Sequence, residues 1–472
     1  MASEIRVDNI TSLSGVGTIT PSATGVEIAG ITTVSTLKAT TGIVTTLTTN
    51  TLTANSTAKV GSGVTLSPDG DVFVTGVTTS TTVKVGGGVT ISESGIDASG
   101  IGITCANING TQIGGRRNLI INGAMEVAQR GTSSTEQLYQ TVDRMRLARA
   151  GVDENPTQAQ VDVAAGTTPY TLGFRKALKI TNGNQTSGAG AADTIGVSYR
   201  IEARDIRTSG WDYTNPNSFI TIQFWVYSNV GQTYYFRLST QDGTSQNYTT
   251  SYTLSANTWT KIVKTIPGNS NIQFDDDFNQ GLRINFSMFA GTTYTSGSMT
   301  LNSWAAVDGN NQFPDQTSTW YTTNDATWNI TGLQLEVGPQ ATAFEHRSFA
   351  EELQLCKRYF QKSYAYETAP GTTNSPLNQI IGRAYASVQN RMELQTKFEV
   401  EMRATPTIIT YTPHGGVADK VEDYSSGNGS ASGTARDVSA VRNLGNKGFG
   451  GITVSPAQDG VLGVHYTADA EI

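Results

Sequence analysis

The sequence predicts a mainly β protein: a repetitive β-rich shaft, then an antiparallel β-sandwich, then a linking helix and a small C-terminal β domain. Three observations predict it. The first 117 of the 472 residues contain one aromatic, Phe73, whereas all six tryptophans, all eighteen tyrosines and all three histidines come later. The N-terminal section repeats itself. The section after it alternates apolar and polar residues at strand spacing. A stretch almost without aromatics cannot fill an ordinary core, so the boundary near residue 117 separates a thin element from folded domains.

Residues 1–15 carry no repeat and are expected to be an attachment segment. In the shaft, residues 16–117, the stretch Val16–Ile31 is echoed at Gly63–Val77 and again at Gly88–Ile101. A second module, Ile31–Leu37, doubles itself at Ile43–Leu52. Repeats of this length usually stack, each unit burying its apolar side only through its neighbours. Val, Ile and Thr dominate, with Gly and Pro-Asp-Gly turns between them, which reads as short strands. Val26 and Ile28 alternate with Glu27, giving such a strand one apolar edge. A single chain of thin strands leaves edges open to pairing with another chain. Three identical chains around one axis bring the same stripe against itself. The expectation is a homotrimeric shaft. The alternative, a disordered Thr/Ser linker, fits poorly with low charge and regularly placed Val, Ile and Leu.

Residues 118–347 alternate in strand fashion. Ile220, Ile222, Phe224 and Val226 fall on one face, as do Tyr234, Phe236 and Leu238, and Leu282, Ile284, Phe286 and Met288. Thr258–Ile266 and Leu333, Leu335 and Val337 continue the pattern. Strands so spaced, without helical periodicity between them, predict two packed antiparallel sheets. Long polar loops at 182–193, 290–297 and 308–325 lie between them.

Two motifs bracket this section: Asn118-Leu-Ile-Ile-Asn-Gly-Ala-Met-Glu-Val-Ala-Gln-Arg-Gly131, followed by Thr141-Val-Asp-Arg144, and Ile330-Thr-Gly-Leu-Gln-Leu-Glu-Val-Gly-Pro-Gln-Ala-Thr-Ala-Phe-Glu-His-Arg347. They resemble the opening and closing elements of a domain common in tail-fibre and receptor-binding proteins of tailed phages. The shaft modules resemble fibres of T4-like cyanophages in particular. That family often has Trp after the Asp-Arg pair, where this chain has Met145. The resemblance implies a jelly-roll-like, carbohydrate-binding-module-like sandwich in a homotrimeric virion fibre, made in the host cytoplasm, with tail or baseplate proteins and host-surface polysaccharide as partners.

Ser348-Phe-Ala-Glu351 is a capping box, predicting a linking helix over 348–362 with Phe349, Leu353, Cys356 and Phe360 on one face. The tip domain, 363–472, reads as β at Arg383–Met392, Phe398–Arg403, Thr407–Thr412 and Val461–Tyr466, with an exposed Gly/Ser loop at Ser425–Gly433. Contact surfaces belong on loops of such a distal domain, which makes Tyr411, His414 and Tyr424 the tip-contact candidates.

Composition narrows the chemistry. Charged residues are 15%, and 32 basic against 39 acidic side chains give a net charge of −7. Nucleic-acid binding rests on clustered Lys and Arg, so it is not expected. Cys105 and Cys356 are read as free thiols. The opening Met-Ala-Ser-Glu-Ile-Arg-Val-Asp carries charges where a signal peptide has an apolar run, and no stretch reaches the length of a membrane span. There is no Gly-x-Ser-x-Gly elbow, His-Glu-x-x-His or Walker loop. His346, His414 and His465 make a His-based triad improbable, and no cofactor or metal is expected. Asp275-Asp-Asp277 reads as a solvated turn, with calcium as its functional alternative; its spacing does not match an EF-hand. A carboxylate pair of the glycosidase type is not legible from sequence. Aromatics are the better lead, because flat rings stack on sugar faces while polar handles hydrogen-bond. Trp211, Tyr213, Trp304, Trp320 and Tyr321 lie in polar contexts and are the glycan-binding candidates; Trp259 and Trp328 begin strands and are expected to be buried. The function expected is non-enzymatic attachment to host glycans. Its rivals are a structural connector and a polysaccharide depolymerase.

Overall fold

The structure, a computed structural model, describes residues 19–22, 25–28, 82–85, 89–92, 95–97, 107–108, 111–112, 117–385, 391–424, 432–455 and 459–472. The expected attachment segment, the second shaft repeat and most of the Gly/Ser loop lie outside these residues. Met1–Gly102 and Ile103–Ile472 are two compact units.

In the first unit, Ile19–Ser22 pairs antiparallel with Gly25–Ile28. Thr82–Val85, Val89–Ser92 and Gly95–Asp97 form a three-stranded meander. Ser22 pairs with Gly25 and Ser92 with Gly95. The first and third sequence repeats thus pair a serine with the glycine three positions on in the same way.

The second unit holds a sandwich of two six-stranded antiparallel sheets. Its strands are β1 (Ser133–Ser134), β2 (Arg146–Ala150), β3 (Thr157–Asp162), β4 (Lys176–Thr181), β5 (Thr194–Glu202), β6 (Phe219–Ser228), β7 (Thr233–Thr240), β8 (Gln246–Thr253), β9 (Thr260–Pro267), β10 (Gln280–Ala290), β11 (Trp304–Ala306) and β12 (Thr327–Val337). Sheet I runs β9-β6-β12-β4-β3-β1, and sheet II runs β11-β8-β7-β10-β5-β2. The alternation legible in the sequence sets the register. Ile220, Ile222, Phe224 and Val226 of sheet I face Tyr234, Phe236, Leu238, Leu282, Ile284, Phe286 and Met288 of sheet II, all fully buried. Phe224 packs edge-to-face on Phe236, Tyr252 and Phe286 at 5.5, 5.6 and 5.1 Å, the geometry aromatic quadrupoles favour.

The two bracketing motifs meet, and their polar residues are scaffold. Asn118 donates from Nδ2 to Leu333 O (3.2 Å) and accepts from the amides of Ile120 (3.0 Å) and Leu335 (3.1 Å). Arg347 donates to the carbonyls of Asn118 (2.6 Å) and Ile120 (3.0 Å). Asn122 turns the chain at φ 61°. Its side chain accepts from Val127 N (2.9 Å) and donates to the carbonyls of Val127 (2.8 Å) and Asp143 (3.0 Å). A Cβ on Gly123 would lie 2.1 Å from Leu333 O, so only glycine lets these two segments approach. Met145 is buried in the same core.

After the sandwich, the helix Phe349–Lys357 starts at Ser348, whose hydroxyl accepts from Glu351 N at 3.3 Å. It is shorter than the expected 348–362. Phe360 leaves the helix face and joins β13 (Phe360–Lys362), where all three residues are buried. The chain then continues as β14 (Ile380–Tyr385), β15 (Arg391–Glu393), β16 (Thr407–Tyr411), β17 (Lys420–Asp423), β18 (Thr434–Val441), β19 (Ile452–Ser455) and β20 (Gly460–Asp469). The order β20-β14-β15-β19-β18-β17 returns to β20 through the β17–β20 pairing, closing a barrel, while the second half of β20 pairs with β13 and β16. Two expected strands are corrected. Arg383–Met392 is not one strand: Tyr385 pairs with Arg391 across a hairpin. In Phe398–Arg403 no strand forms, because Phe398 and Met402 turn their side chains into the barrel core and their amides donate to the 446–447 backbone.

Sandwich and barrel share a buried charged junction. The Arg144 guanidinium lies 3.4 Å from the centre of the Tyr359 ring and pairs with Glu471. Arg130 stacks on Phe360 at 3.8 Å and meets Asp469 at 3.0 Å. Arg358 holds Glu202 through two bonds of 2.8 Å. Lys362 donates to the carbonyls of Gln129, Tyr366 and Thr368 at 2.7, 2.7 and 2.8 Å.

Candidate functional site

Four of the five glycan-binding candidates from the sequence are packing residues. Trp320 is 0% exposed, and its indole N–H donates to Thr327 O at 3.2 Å. Tyr321 is buried with its hydroxyl donating to Asp193 at 3.0 Å and its ring 4.6 Å from Phe289. Trp211 is buried and donates to Ser218 O at 3.3 Å. Tyr213 is half-buried, edge-on to Phe274 at 4.9 Å. Their polar neighbourhood had suggested exposure. Instead those neighbours bind the ring-bearing segments: Asn182 donates to the carbonyl of Tyr321 at 2.6 Å and so folds a polar loop onto the sandwich. Rings so packed present no free face to a sugar. Trp328 is buried as expected, while Trp259 is half-buried against the smaller apolar cluster around Phe174.

The tip candidates form internal contacts as well. His414 Nδ1 lies 3.1 Å from Glu422 and its amide donates to the same carboxylate at 2.8 Å. Tyr424 is buried, 5.9 Å from the His414 ring, with its hydroxyl donating to Gln379 at 2.7 Å. Tyr411 is half-buried, 6.0 Å from Tyr364. The remaining histidines are engaged too. His346 packs on Phe174 and Phe344 at 5.1 and 4.9 Å, and His465 stacks on Tyr364 at 3.9 Å. Asp276 of the acidic triplet pairs with Arg204 and Arg207 at 2.9 and 3.1 Å. Among the described residues no group of three or more His, Cys, Asp or Glu is placed to hold a metal, and no helix is long and apolar enough to cross a membrane.

Trp304 is the candidate that does reach a cleft. It pairs with Tyr248 across β11 and β8 and donates to Pro267 O at 2.7 Å. Beside it a cleft of about 320 Å³ is lined by Asn247, Thr249, Ser298, Ser303, Trp304 and Asn311. Strand alternation aims Asn247 and Thr249 outward, since their neighbours Tyr248 and Thr250 face the core. Asn247 is 4% exposed, yet neither its Oδ1 nor its Nδ2 has a partner among the described residues; Asn311 Oδ1 also lacks one. Buried amides almost always find partners, so this cleft holds unused donors and acceptors on a rigid strand. Asp308, at its rim, is turned to the amide of Asn310 at 2.9 Å.

The cleft opens onto the outer face of sheet II, which the pairing register arranges in rows. One row runs Arg200, Arg283, Ser239, Asn247, and the next Arg146, Ser198, Asn285, Arg237, Thr249. The segment before the one-turn helix Thr319–Thr322 crosses this face. Gln312 O accepts from Thr249 at 3.3 Å, Gln316 bonds Ser287 at 3.1 Å, and the Phe313 ring centre is 5.3 Å from the Arg237 guanidinium. Burial pushes Arg237 down to about 9, and the charge of Arg283 pushes the same way. Arg283 and Arg146 are lowered by burial and then by other arginines. No sequence motif marks this face. The available signal was that the outward positions of three core strands, Arg200, Arg237 and Arg283, are all arginine.

A second concavity, of about 640 Å³, lies in the barrel half and is lined by Lys357, Lys362, Tyr364, Tyr366, Gln395 and Tyr466 among others. Its polar groups are largely engaged, as at Lys362 above.

No protein-family model matches the chain, and none of the curated proteins matches it. Solved structures similar to it include the enzymatically active domain of tailspike protein 4 of bacteriophage CBA120, at 10% identity and TM-score 0.26, covering 47% of this chain and 21% of that one. Others are a family 16 carbohydrate binding module-2, at 10% identity and TM-score 0.20, covering 38% of this chain and 84% of that one, and the family 11 carbohydrate-binding module from Clostridium thermocellum in complex with a β-1,3-1,4-mixed-linked tetrasaccharide, at 11% identity and TM-score 0.21, covering 46% and 98%. Likeness at this level assigns no ligand and no activity to the chain.

Proposed function

We propose that the chain is a non-enzymatic, homotrimeric tail fibre of a tailed phage that attaches the virion to host-surface polysaccharide. The N-terminal segment docks on tail or baseplate proteins, and the outer face of sheet II binds the glycan. The observation that carries this reading is the cleft at Asn247, whose buried side-chain amide lacks a partner among the described residues on a strand fixed by the core. A site built to hydrogen-bond hydroxyls discriminates strongly because leaving its polar groups unpaired is costly. Each site can be weak, since three per fibre and several fibres per particle raise effective affinity by roughly 10²–10⁴.

The test uses the purified full chain. Sedimentation is expected to give three times 50.2 kDa, and the trimer is expected to block adsorption of virions to host cells, with Asn247→Ala removing the block. A trimer that never blocks overturns the attachment reading in favour of a connector. Shortened polysaccharide after incubation overturns the non-enzymatic reading in favour of a depolymerase.

A further inference from the structure

Recognition of neutral hydroxyls leaves one feature of this face unused. Arg146, Arg200, Arg283 and Arg237 come from four adjacent strands, β2, β5, β10 and β7. Their register places Arg200 directly opposite Arg283, and the intervening positions are Ser198, Asn285 and Ser239. Like charges directly opposite in a sheet are destabilising, and these rows supply no carboxylate. Arg237 is 4% exposed with Nε and Nη1 unpartnered among the described residues, and Arg200 Nε and Ser198 Oγ are unpartnered too. The charged groups that act on Arg146, Arg237 and Arg283 are other arginines and Tyr139. Arg200 is met by the carboxylate oxygen of Ile472, whereas Arg283 gives one bond of 3.3 Å to Ser239.

The contrast within the molecule is sharp. At the barrel junction the arginines are matched: Arg144 with Glu471, Arg347 with Glu345 and Glu352, Arg358 with Glu202. A chain with 39 acidic residues against 32 basic ones does not lack carboxylates, so leaving Arg146, Arg237 and Arg283 without one among the described residues points to a counter-charge from outside. Guanidinium forks match carboxylate and sulfate oxygens bidentately.

We infer that the outer face of sheet II takes an anionic polysaccharide, whose carboxylate or sulfate groups sit among Arg146, Arg237 and Arg283 while its hydroxyls reach the Asn247 cleft. This rests on the glycan-attachment reading above. The row from Arg200 to Asn247 crosses three strand spacings, about 14 Å at ~4.8 Å each, room for a short oligosaccharide. The segment carrying Gln312, Phe313 and Gln316 lies over part of the rows. A thin chain can run along the rows beside it, whereas the surface of a folded protein cannot.

The experiment measures retardation of the full chain in gels containing polygalacturonate, the same polymer fully methyl-esterified, dextran sulfate, dextran or polyglutamate. At least one anionic polysaccharide is expected to bind tenfold or more tightly than its uncharged counterpart. Preference for polygalacturonate names a carboxylate, and preference for dextran sulfate a sulfate. The double variant R237Q/R283Q is expected to lose tenfold or more of that affinity with a melting temperature unchanged or raised, because removing it relieves repulsion. The double variant K261Q/K264Q on β9 of sheet I makes the same charge change and is expected to bind as the parent does. Equal binding of charged and esterified polymer, or full binding by R237Q/R283Q, overturns the inference. Binding of neutral polymers alone sinks it but leaves the attachment reading; binding of none sinks both. A preference for polyglutamate assigns the face to an acidic protein and overturns it as well.

Discussion

Arg144 adopts φ 71°, a conformation rare for residues with a Cβ, and its buried charge is met by Glu471. Removing that carboxylate leaves the guanidinium uncompensated, which costs about 3–5 kcal/mol; Glu471→Gln is expected to show that loss in urea unfolding. Trp320→Ala is expected to cost about 3–5 kcal/mol as a core truncation, a loss that a surface sugar platform would not produce. Asn247→Ala is expected to leave stability unchanged, because its amide has no partner to lose among the described residues. Single residues were read best where apolar alternation fixed them, as at Phe224 and Phe286. Tryptophans in polar loops were misread, because a loop polar in sequence can still be the hydrogen-bonded cover of a core. The arginine cluster joins positions as distant as Arg146 and Arg283, and only strand pairing brings them together.

Among the elements, β20 has the most partners: it pairs with β13, β14, β16 and β17 and carries His465. His465 Nε2 lies 2.6 Å from Ser375 O and therefore donates, while Nδ1 lies 2.8 Å from the Ser363 hydroxyl and accepts. That is the neutral tautomer, and burial pulls the imidazole below its ordinary 6.5. Below that pH the unfolded state binds a proton that the folded state resists, so stability is intact above about 6.5 and falls as pH drops further. Amide exchange along β20 is expected to accelerate from pH 7.5 to 5.5 beyond what intrinsic chemistry gives; an unchanged protection factor would contradict this. At the helix start, Ser348→Ala is expected to cost about 1 kcal/mol in thermal unfolding. The capping box announced that start, but its end did not follow from periodicity, because Phe360 suits a helix face and a strand equally. The barrel was only half legible. Lys420–Asp423 is charged in sequence yet mostly buried, and Thr434–Val441 is exposed or half-buried throughout, so neither shows a clear alternation, and closure depends on one long strand far along the chain.

At the scale of the whole molecule, the bracketing motifs lock the sandwich shut, and the proposed binding face lies on sheet II, away from every motif. That division explains why the sandwich's bracketing motifs were legible in the sequence while the proposed face was not: motif residues such as Asn118, Asn122 and Arg347 hold backbone, and the face is built from strand positions whose sequence neighbours face the core. The central claim is that the Asn247 face binds polysaccharide, and affinity electrophoresis of the full chain and Asn247→Ala against a panel of bacterial surface polysaccharides tests it most directly. The account predicts that at least one polymer retards the parent, and that the variant runs free with an unchanged melting temperature. Equal retardation of both, or of neither by any polymer, would contradict it.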